Sequence, residues 1–473
     1  MKKKSSLIIF ILIPLIAFCI FFLILFSLSG TYGIFKWNYS YKVLLRQILI
    51  IPLVPVFTGL IALIISKNDK IYKIFYSITK VLSIIVVFIP VVAIIAIFIM
   101  TSGSFSSLPP LLTITDKLCS NGTLAYCLNL TTEKPEALFL KYYPLLDPSN
   151  FVQLKENKPK KLHTFFLQDL SAGTEYKYEL SNGYTSKFTV PDQKFLKDDD
   201  SFFSFAVSSD LHIGRAETSL DAAKNILSNI SKNQSYAFFA TLGDFVESGY
   251  IKEHWQELRN FFYENLSNLP LLPVIGNHDA FLGGDRYYKK VLVSQEQNGK
   301  KSRVYNHYIY NGGERNIHII SLQLLWGMED FSSSQKRWLE NELTKISKDD
   351  FVVILSHCFA YASGYTEQSG IKWYDNQDVI RKLVPLFKKY DVDLVLSGHN
   401  HFMELIENDG IIYSIVGAFG SVPDVERTYI TANSLWYKSH TFGYLDVTCY
   451  KDYFKINFYD QNNNLLFSKI TDY

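Results

Sequence analysis

Cysteine is scarce in this chain, with five in 473 residues. So few thiols cannot staple a fold of this length, which excludes a disulfide scaffold and leaves stability to a hydrophobic core. A surplus of one charge is also missing. Lys and Arg number 47 against 45 Asp and Glu, a formal net charge of +2. Proteins that work by neutralising many phosphates carry a basic excess, so no nucleic-acid partner is expected. Long uncharged apolar runs are absent after about residue 100, and from there the chain reads as water-soluble protein. Hydrophobic residues still make up 48% of the whole, enough for a large core plus membrane segments. The length implies about two or three structural units.

The first hundred residues hold three runs long enough to cross a bilayer, which takes about 20 apolar residues. They lie at about 7–28, 44–65 and 81–100. The first is about twice the length of a signal-peptide core and lacks a clean cleavage site, so it reads as a retained anchor. Pro14, Pro52, Pro55 and Pro90 fall inside the runs, which membrane helices tolerate. Lys2, Lys3 and Lys4 precede the first run, and Lys67, Lys70, Lys73 and Lys80 lie between the second and third. The positive-inside rule places both segments in the cytoplasm and everything after about Thr101 outside. The loop after the first run is basic as well, and a two-span arrangement would instead leave the rest of the chain cytoplasmic. The expectation is a multi-pass cell-membrane protein whose partner is the lipid bilayer and whose soluble part is extracytoplasmic.

A turn-rich linker at 102–110 leads to short strand patterns at 124–130, 137–143, 163–167, 175–180 and 185–189. Asn182-Gly183 between the last two is a hairpin signal. The stretch from His163 to Tyr178, ending Leu-Ser-Ala-Gly-Thr-Glu-Tyr-Lys-Tyr, resembles a segment of fibronectin III-like domains. The version preceding the catalytic domain of purple acid phosphatases is the most similar, with Ala172 where that pattern has proline. Cys119 and Cys127 lie close enough in sequence to pair in an oxidising compartment, although spacing alone cannot show it.

From 202 onward an apolar, strand-like run ends five times in residues suited to metal binding. The endings are Asp210-Leu211-His212, Gly243-Asp244, Gly276-Asn277-His278-Asp279, Ser356-His357 and Gly398-His399-Asn400-His401. Near-continuous apolar strands are buried on both faces, and ligands in open α/β sheets bind beyond the strands' carboxyl ends. Five such endings would converge on one cleft. His and Asp suit borderline first-row metals. Glycines before Asp244, Asn277 and His399 would allow sharp turns. In an extended segment, Asp210 with His212 and His399 with His401 would point the same way in pairs.

The ordered set resembles the calcineurin-like metallophosphoesterase family. The resemblance implies an α/β (α+β), four-layer metallophosphatase β-sandwich flanked by helices. It divides the chain into a membrane region at 1–104, a fibronectin III-like β-sandwich at 105–195 and a metallophosphoesterase domain at 196–473. It also implies two divalent ions (Mn, Zn or Fe), one on Asp210, His212 and His401, the other on Asn277, His357 and His399, with Asp244 shared. His278 would contact the phosphoryl group or protonate the leaving oxygen, and Asp279 would orient His278. The implied function is hydrolysis of phosphomonoesters by a metal-bridging hydroxide, the substrate being a phosphate ester. Phosphodiesterase activity on the same site and a catalytically silent receptor or adaptor on this fold are the alternatives. Purple acid phosphatases have glycine at the position of His212 and an iron-binding tyrosine at the position of Glu247, so this chain departs from them there. Glu247 reads first as an exposed loop residue, with an approach to the site as the alternative. Arg286, Tyr287, Tyr288, His307 and His440 are weak candidates for substrate contact. A helix is expected at 377–389, with further strands after 410.

Overall fold

Apolar periodicity at the beginning of the chain produces helices, and shorter apolar runs bounded by turn residues produce strands thereafter. The computed structural model describes residues 2–118, 124–191, 203–266, 268–293, 303–311 and 315–472. Cys119 lies outside these residues, and with it the expected Cys119–Cys127 pair. The chain divides into two units, Met1–Gly103 with Phe281–Gly283, and Ser104–Ala280 with Gly284–Tyr473.

The first unit is helical. Three stretches, Ser5–Ser27, Tyr39–Ile64 and Asp69–Ser102, are long and apolar enough to cross a membrane. Much of their surface is exposed hydrocarbon, with Leu23 at 73% and Ile64 at 80%. Lipid, rather than water, is the solvent such a surface matches. Hydroxyls bind between the helices: Ser83 Oγ donates to the Phe10 carbonyl and Thr79 Oγ1 to Thr58 Oγ1. The middle stretch is broken between helices Tyr39–Ile50 and Leu53–Ile64, where Pro52 has no N–H to offer. The third helix starts at Asp69, well before the apolar run expected from 81. Asn68 caps it by accepting from the Ile71 amide, and Lys73 pairs with Asp69 one turn away.

The second unit is built on two large sheets. The nine-stranded sheet runs, edge to edge, Leu465–Asp472, Tyr453–Asp460, Gly443–Cys449, Phe203–Ser208, Tyr236–Thr241, Leu271–Pro273, Leu108–Leu118, Leu124–Glu136 and Lys160–Leu167. The seven-stranded sheet runs Asn306–Asn311, Asn316–Ser321, Phe351–Ser356, Leu394–Ser397, Ile411–Val416, Met403–Asn408 and Ser434–Lys438. One hydrophobic core joins them, with Phe205, Val207 and Phe238 from the first sheet and Ile319, Val353 and Leu396 from the second. The outer face of the second sheet is covered by helices, with Leu339, Val379 and Leu383 packed against Val352 and Ile354. The mixed α/β metallophosphatase-like architecture is therefore present.

Two expectations change. The β region at 105–195 is not self-contained. Its strand Leu108–Leu118 pairs in parallel with Leu271–Pro273, Thr113 facing Leu271, and carries two further strands into the nine-stranded sheet. The four remaining strands form a small sheet across from them, where Tyr142, Tyr176 and Phe188 meet Tyr126 and Phe165. An unpaired edge at Leu271–Pro273 would be costly, and Leu108–Leu118 covers it. The buried Arg259 guanidinium reinforces the junction by donating to Pro109, Asn129 and Val291 oxygens. The helix expected at 377–389 is two short ones, Gln377–Lys382 and Val384–Lys389. Pro385 removes the amide that would have continued the ladder. Asn182-Gly183 does make the hairpin between Thr174–Leu180 and Thr185–Val190, with Gly183 at φ 96°.

Candidate metal centre

Each of the five polar endings follows a strand of the two sheets, and the structure brings their side chains together. The means differ from simple strand alternation. Asp210, His212, Asp244 and His399 all have positive φ, at 66°, 54°, 53° and 74°. Such backbone is uncommon outside glycine, and Asp and His adopt it more readily than most side chains. The pairs therefore converge through tight left-handed turns. Glycine is required beside them: a Cβ on Gly276 would strike the Asp244 carboxylate, and one on Gly398 would strike Ser209 and Asp210.

Asp210, His212 and His401 form one cluster of donors, and Asp244, His357 and His399 another. His401 Nε2 lies 3.6 Å and His212 Nε2 3.8 Å from Asp210 Oδ1. The Asp244 Oδ2 atom stands between the clusters, 3.5 Å from His212 Nε2 and 3.3 Å from His357 Nε2. Asn277 Oδ1 completes the second group at 2.8 Å from His357 Nε2.

Hydrogen bonds set the tautomers. A carbonyl can only accept, so His357 Nδ1 carries a proton toward Leu242 (2.7 Å), and His401 Nδ1 one toward Val422 (2.9 Å). His212 Nδ1 donates to Glu247 Oε2 at 2.8 Å. In all three the Nε2 atom is left to face the cluster. Around His357 Nε2 stand the acceptor atoms of Asn277 and Asp244, with His399 Nδ1 at 3.1 Å. Lone pairs crowded this way call for a cation. Asp210 Oδ1 and His212 Nε2 are buried and have no hydrogen-bond partner among the described residues. The arrangement fits two first-row divalent ions sharing Asp244.

The electrostatics agree. Burial alone would push His212 and His357 down, but Asp210 with Glu247, and Asp244, outweigh it and lift the rings to about 10 and about 9. Burial would raise the Asp210 and Asp244 carboxyls, yet the surrounding histidines hold both well below the usual range. His399 falls to about 3 through burial and its positive neighbour His357. Two buried carboxylates thus draw in whatever positive charge is available.

Several predicted roles need correction. Asp279 does not orient His278. Its buried carboxylate accepts the amides of Phe245, Val246 and Gly276, tying the second and third motifs together. Burial and nearby Asp244 raise it to about 7. His278 donates from Nδ1 to the Glu247 carbonyl at 2.7 Å, and its amide is bound by Asp244 Oδ1. Its ring stands edge-on to His212 and is 27% exposed. Glu247 is no idle loop residue, since its carboxylate holds His212 and its carbonyl holds His278. Tyr287 and Tyr288 are core residues packed on Phe105 and Trp255, whereas Arg286 is exposed on the same short helix. His307 belongs to a separate chain of hydrogen bonds, Glu342–His307–His318–Asp350. His440 is exposed, 4.0 Å from Glu426. Sequence reasoning passed over Asp424, which accepts the His401 amide, and the rings of Trp326 and Trp373 beside His399.

The sequence profile of the calcineurin-like phosphoesterase family matches residues 203–403, the stretch that carries all these donors. Around this stretch the chain is similar to purple acid phosphatase 18 of Arabidopsis thaliana, 22% identical over 60% of this chain and 64% of that protein. It is also similar to the Fe(3+)-Zn(2+) purple acid phosphatase 12 of Arabidopsis thaliana, at 24% over 54% of each chain. The chain spans little more than half to under two thirds the length of these curated relatives. Among solved structures, the purple acid phosphatase PPD1 from yellow lupin superposes with a TM-score of 0.60 at 15% identity, over 78% of this chain and 74% of that one. This likeness extends the shared fold beyond the phosphoesterase domain.

Proposed function

We propose that the protein is a membrane-anchored phosphoesterase that hydrolyses phosphomonoesters on a dinuclear metal centre. The observation that carries the proposal is the place of Asp244, whose one carboxylate oxygen lies within 3.5 Å of a histidine nitrogen from each cluster. A single shared carboxylate between two three-donor groups is what a pair of closely spaced cations needs.

In this reading Asp210, His212 and His401 would hold one ion and Asn277, His357 and His399 the other, with Asp244 available to both. The two ions supply positive charge against the phosphoryl oxygens and acidify the attacking water. The protein's own residues do the rest. Glu247 fixes the His212 tautomer, so that its Nε2 faces the centre. The Glu247 carbonyl fixes His278, leaving Nε2 as the atom that exchanges a proton. His278 contacts the phosphoryl group or protonates the leaving oxygen, a role worth about 10²–10⁴-fold. Asp279 holds the two loops at the spacing the donors require. A silent adaptor would be expected to have lost donors, and every donor position here is filled. The three apolar stretches support membrane anchoring, and the lysine distribution favours an extracytoplasmic catalytic part.

The test is metal content measured together with turnover of model phosphomonoesters and phosphodiesters under added Mn²⁺, Zn²⁺ or Fe²⁺. Two ions per chain and faster monoester turnover support the reading. Preferential diester turnover moves it to a phosphodiesterase, and no turnover with any metal refutes it.

A further inference from the structure

The surroundings of the metal cluster are of two kinds. On the side of His278 they are polar, with the partly exposed Glu247 carboxylate. On the side of His399 two tryptophans stand against the donors, while His401 also meets the Asp424 carboxylate. The Trp326 and Trp373 ring centroids stand 5.1 and 5.6 Å from that of His399 and 6.1 Å from each other. Trp373 is partly exposed, and its carbonyl accepts from Asn400, between the two histidines. The Trp326 indole N–H is buried with no partner among the described residues.

A second loop continues this wall. His401 donates from Nδ1 to the Val422 carbonyl, and its amide is bound by Asp424. The loop is bridged to the Trp373 hairpin through Gly364 and Tyr429. Along it Val422, Val425 and Ile430 are 39%, 59% and 62% exposed. One exposed aliphatic side chain says little. Three on a loop pinned to a ligand histidine and bridged to the Trp373 hairpin add apolar area near the site, interspersed with the exposed Glu426 and Thr428. Tryptophan, with the exposed Lys372 beside it, is also the residue pairing found at membrane–water interfaces.

The geometry points to a membrane lipid bearing a terminal phosphate as the substrate, its phosphate at the donor clusters and its apolar portion along Trp373 and the loop 422–430. The three membrane-spanning candidates in the same chain supply the bilayer in which such a lipid resides. This rests on the phosphoesterase reading above and names its substrate class. The reaction needs no further reactant: water attacks phosphorus, the P–O bond to the lipid breaks, the lipid oxygen takes a proton, and inorganic phosphate leaves.

The experiment uses the full chain reconstituted with Mn²⁺ in phosphatidylcholine vesicles that contain phosphatidate, with glycerol 3-phosphate as the soluble counterpart. Inorganic phosphate release is followed for both. The kcat/KM ratio of phosphatidate to glycerol 3-phosphate is expected to exceed roughly a hundred, and to fall roughly tenfold or more in the double variant V425D/I430D. The polar variant V425S/I430S should lie between, and serves if the acidic one does not fold. A ratio near one, or one unmoved by both variants, overturns the lipid assignment while leaving the phosphoesterase reading intact. Hydrolysis of neither substrate, nor of any other phosphate ester under any metal, refutes that reading instead.

Discussion

Glu247 offers the sharpest test of how the centre is held. Its carboxylate accepts the His212 Nδ1 proton at 2.8 Å, in a setting where His212 is buried and Glu247 31% exposed. Glu247→Ala removes the acceptor and lets the ring turn or change tautomer, so Nε2 no longer faces Asp210 and Asp244. A hydrogen bond to a charged group contributes roughly 1.5–3 kcal/mol. Outer partners of metal-bound histidines change metal affinity by about 10–100-fold when removed. Since tenfold is about 1.4 kcal/mol, the two routes give the same size of effect. Glu247→Gln keeps an oxygen that can accept the proton while losing the charge, so its loss should be smaller. The assay is competitive metal titration against a chelator of known affinity, with ion stoichiometry measured on the dialysed protein. The expected order of affinity is wild type, then Gln, then Ala. An alanine variant that binds two ions with undiminished affinity would show that His212 needs no such support, and the argument for its tautomer would fail.

Asp244→Asn should cost orders of magnitude in turnover together with loss of one or both ions. His278→Ala should lower turnover by about 10²–10⁴-fold with both ions still bound, and steady-state kinetics with metal analysis separates the two cases. Iron-loaded protein should show no intense visible band, because Glu247 stands where purple acid phosphatases have their iron-binding tyrosine; a strong purple absorption would contradict this. Burial holds His307 and His318 below the usual histidine range, against the pull of Glu342 and Asp350. Folded values below the unfolded one of about 6.5 give stability that is present above that pH and lost as pH falls through the folded values. Urea midpoints should therefore drop on acidification below about pH 6.5, and His318→Asn should flatten that dependence; a parallel profile in the variant would refute it.

The donors themselves were legible because each sits in a short motif directly after an apolar strand, and strand ends are local features of a sequence. What Asp279 does was not. It neighbours His278 in sequence, but Asn277–Ala280 is a helical turn, and successive side chains on a helix diverge by about 100°. Adjacent letters therefore face different neighbours, His278 the open side and Asp279 the amides beneath. The junction of the β region with the catalytic sheet was hidden for another reason. Thr113 pairs with Leu271, and nothing in the local pattern of either strand names a partner so far along the chain. An apolar strand reads the same whether its edge is covered from within its own domain or by a neighbour.

Glu247 illustrates the limit of reading polarity as exposure. A carboxylate on a loop is written identically whether it meets water or a buried imidazole, and only its distance from His212 distinguishes the two. The available clue was its position where related enzymes place a metal ligand. In the function proposed above that position has a different duty: the Glu247 carboxylate holds His212, whose Nε2 would face the metal. His212, which takes the place of the relatives' glycine, is the residue it holds. The two departures from the purple acid phosphatase pattern are thus one coupled change. On that reading His212 would add a nitrogen donor, and Glu247 would steady it where the resembling family has a phenolate.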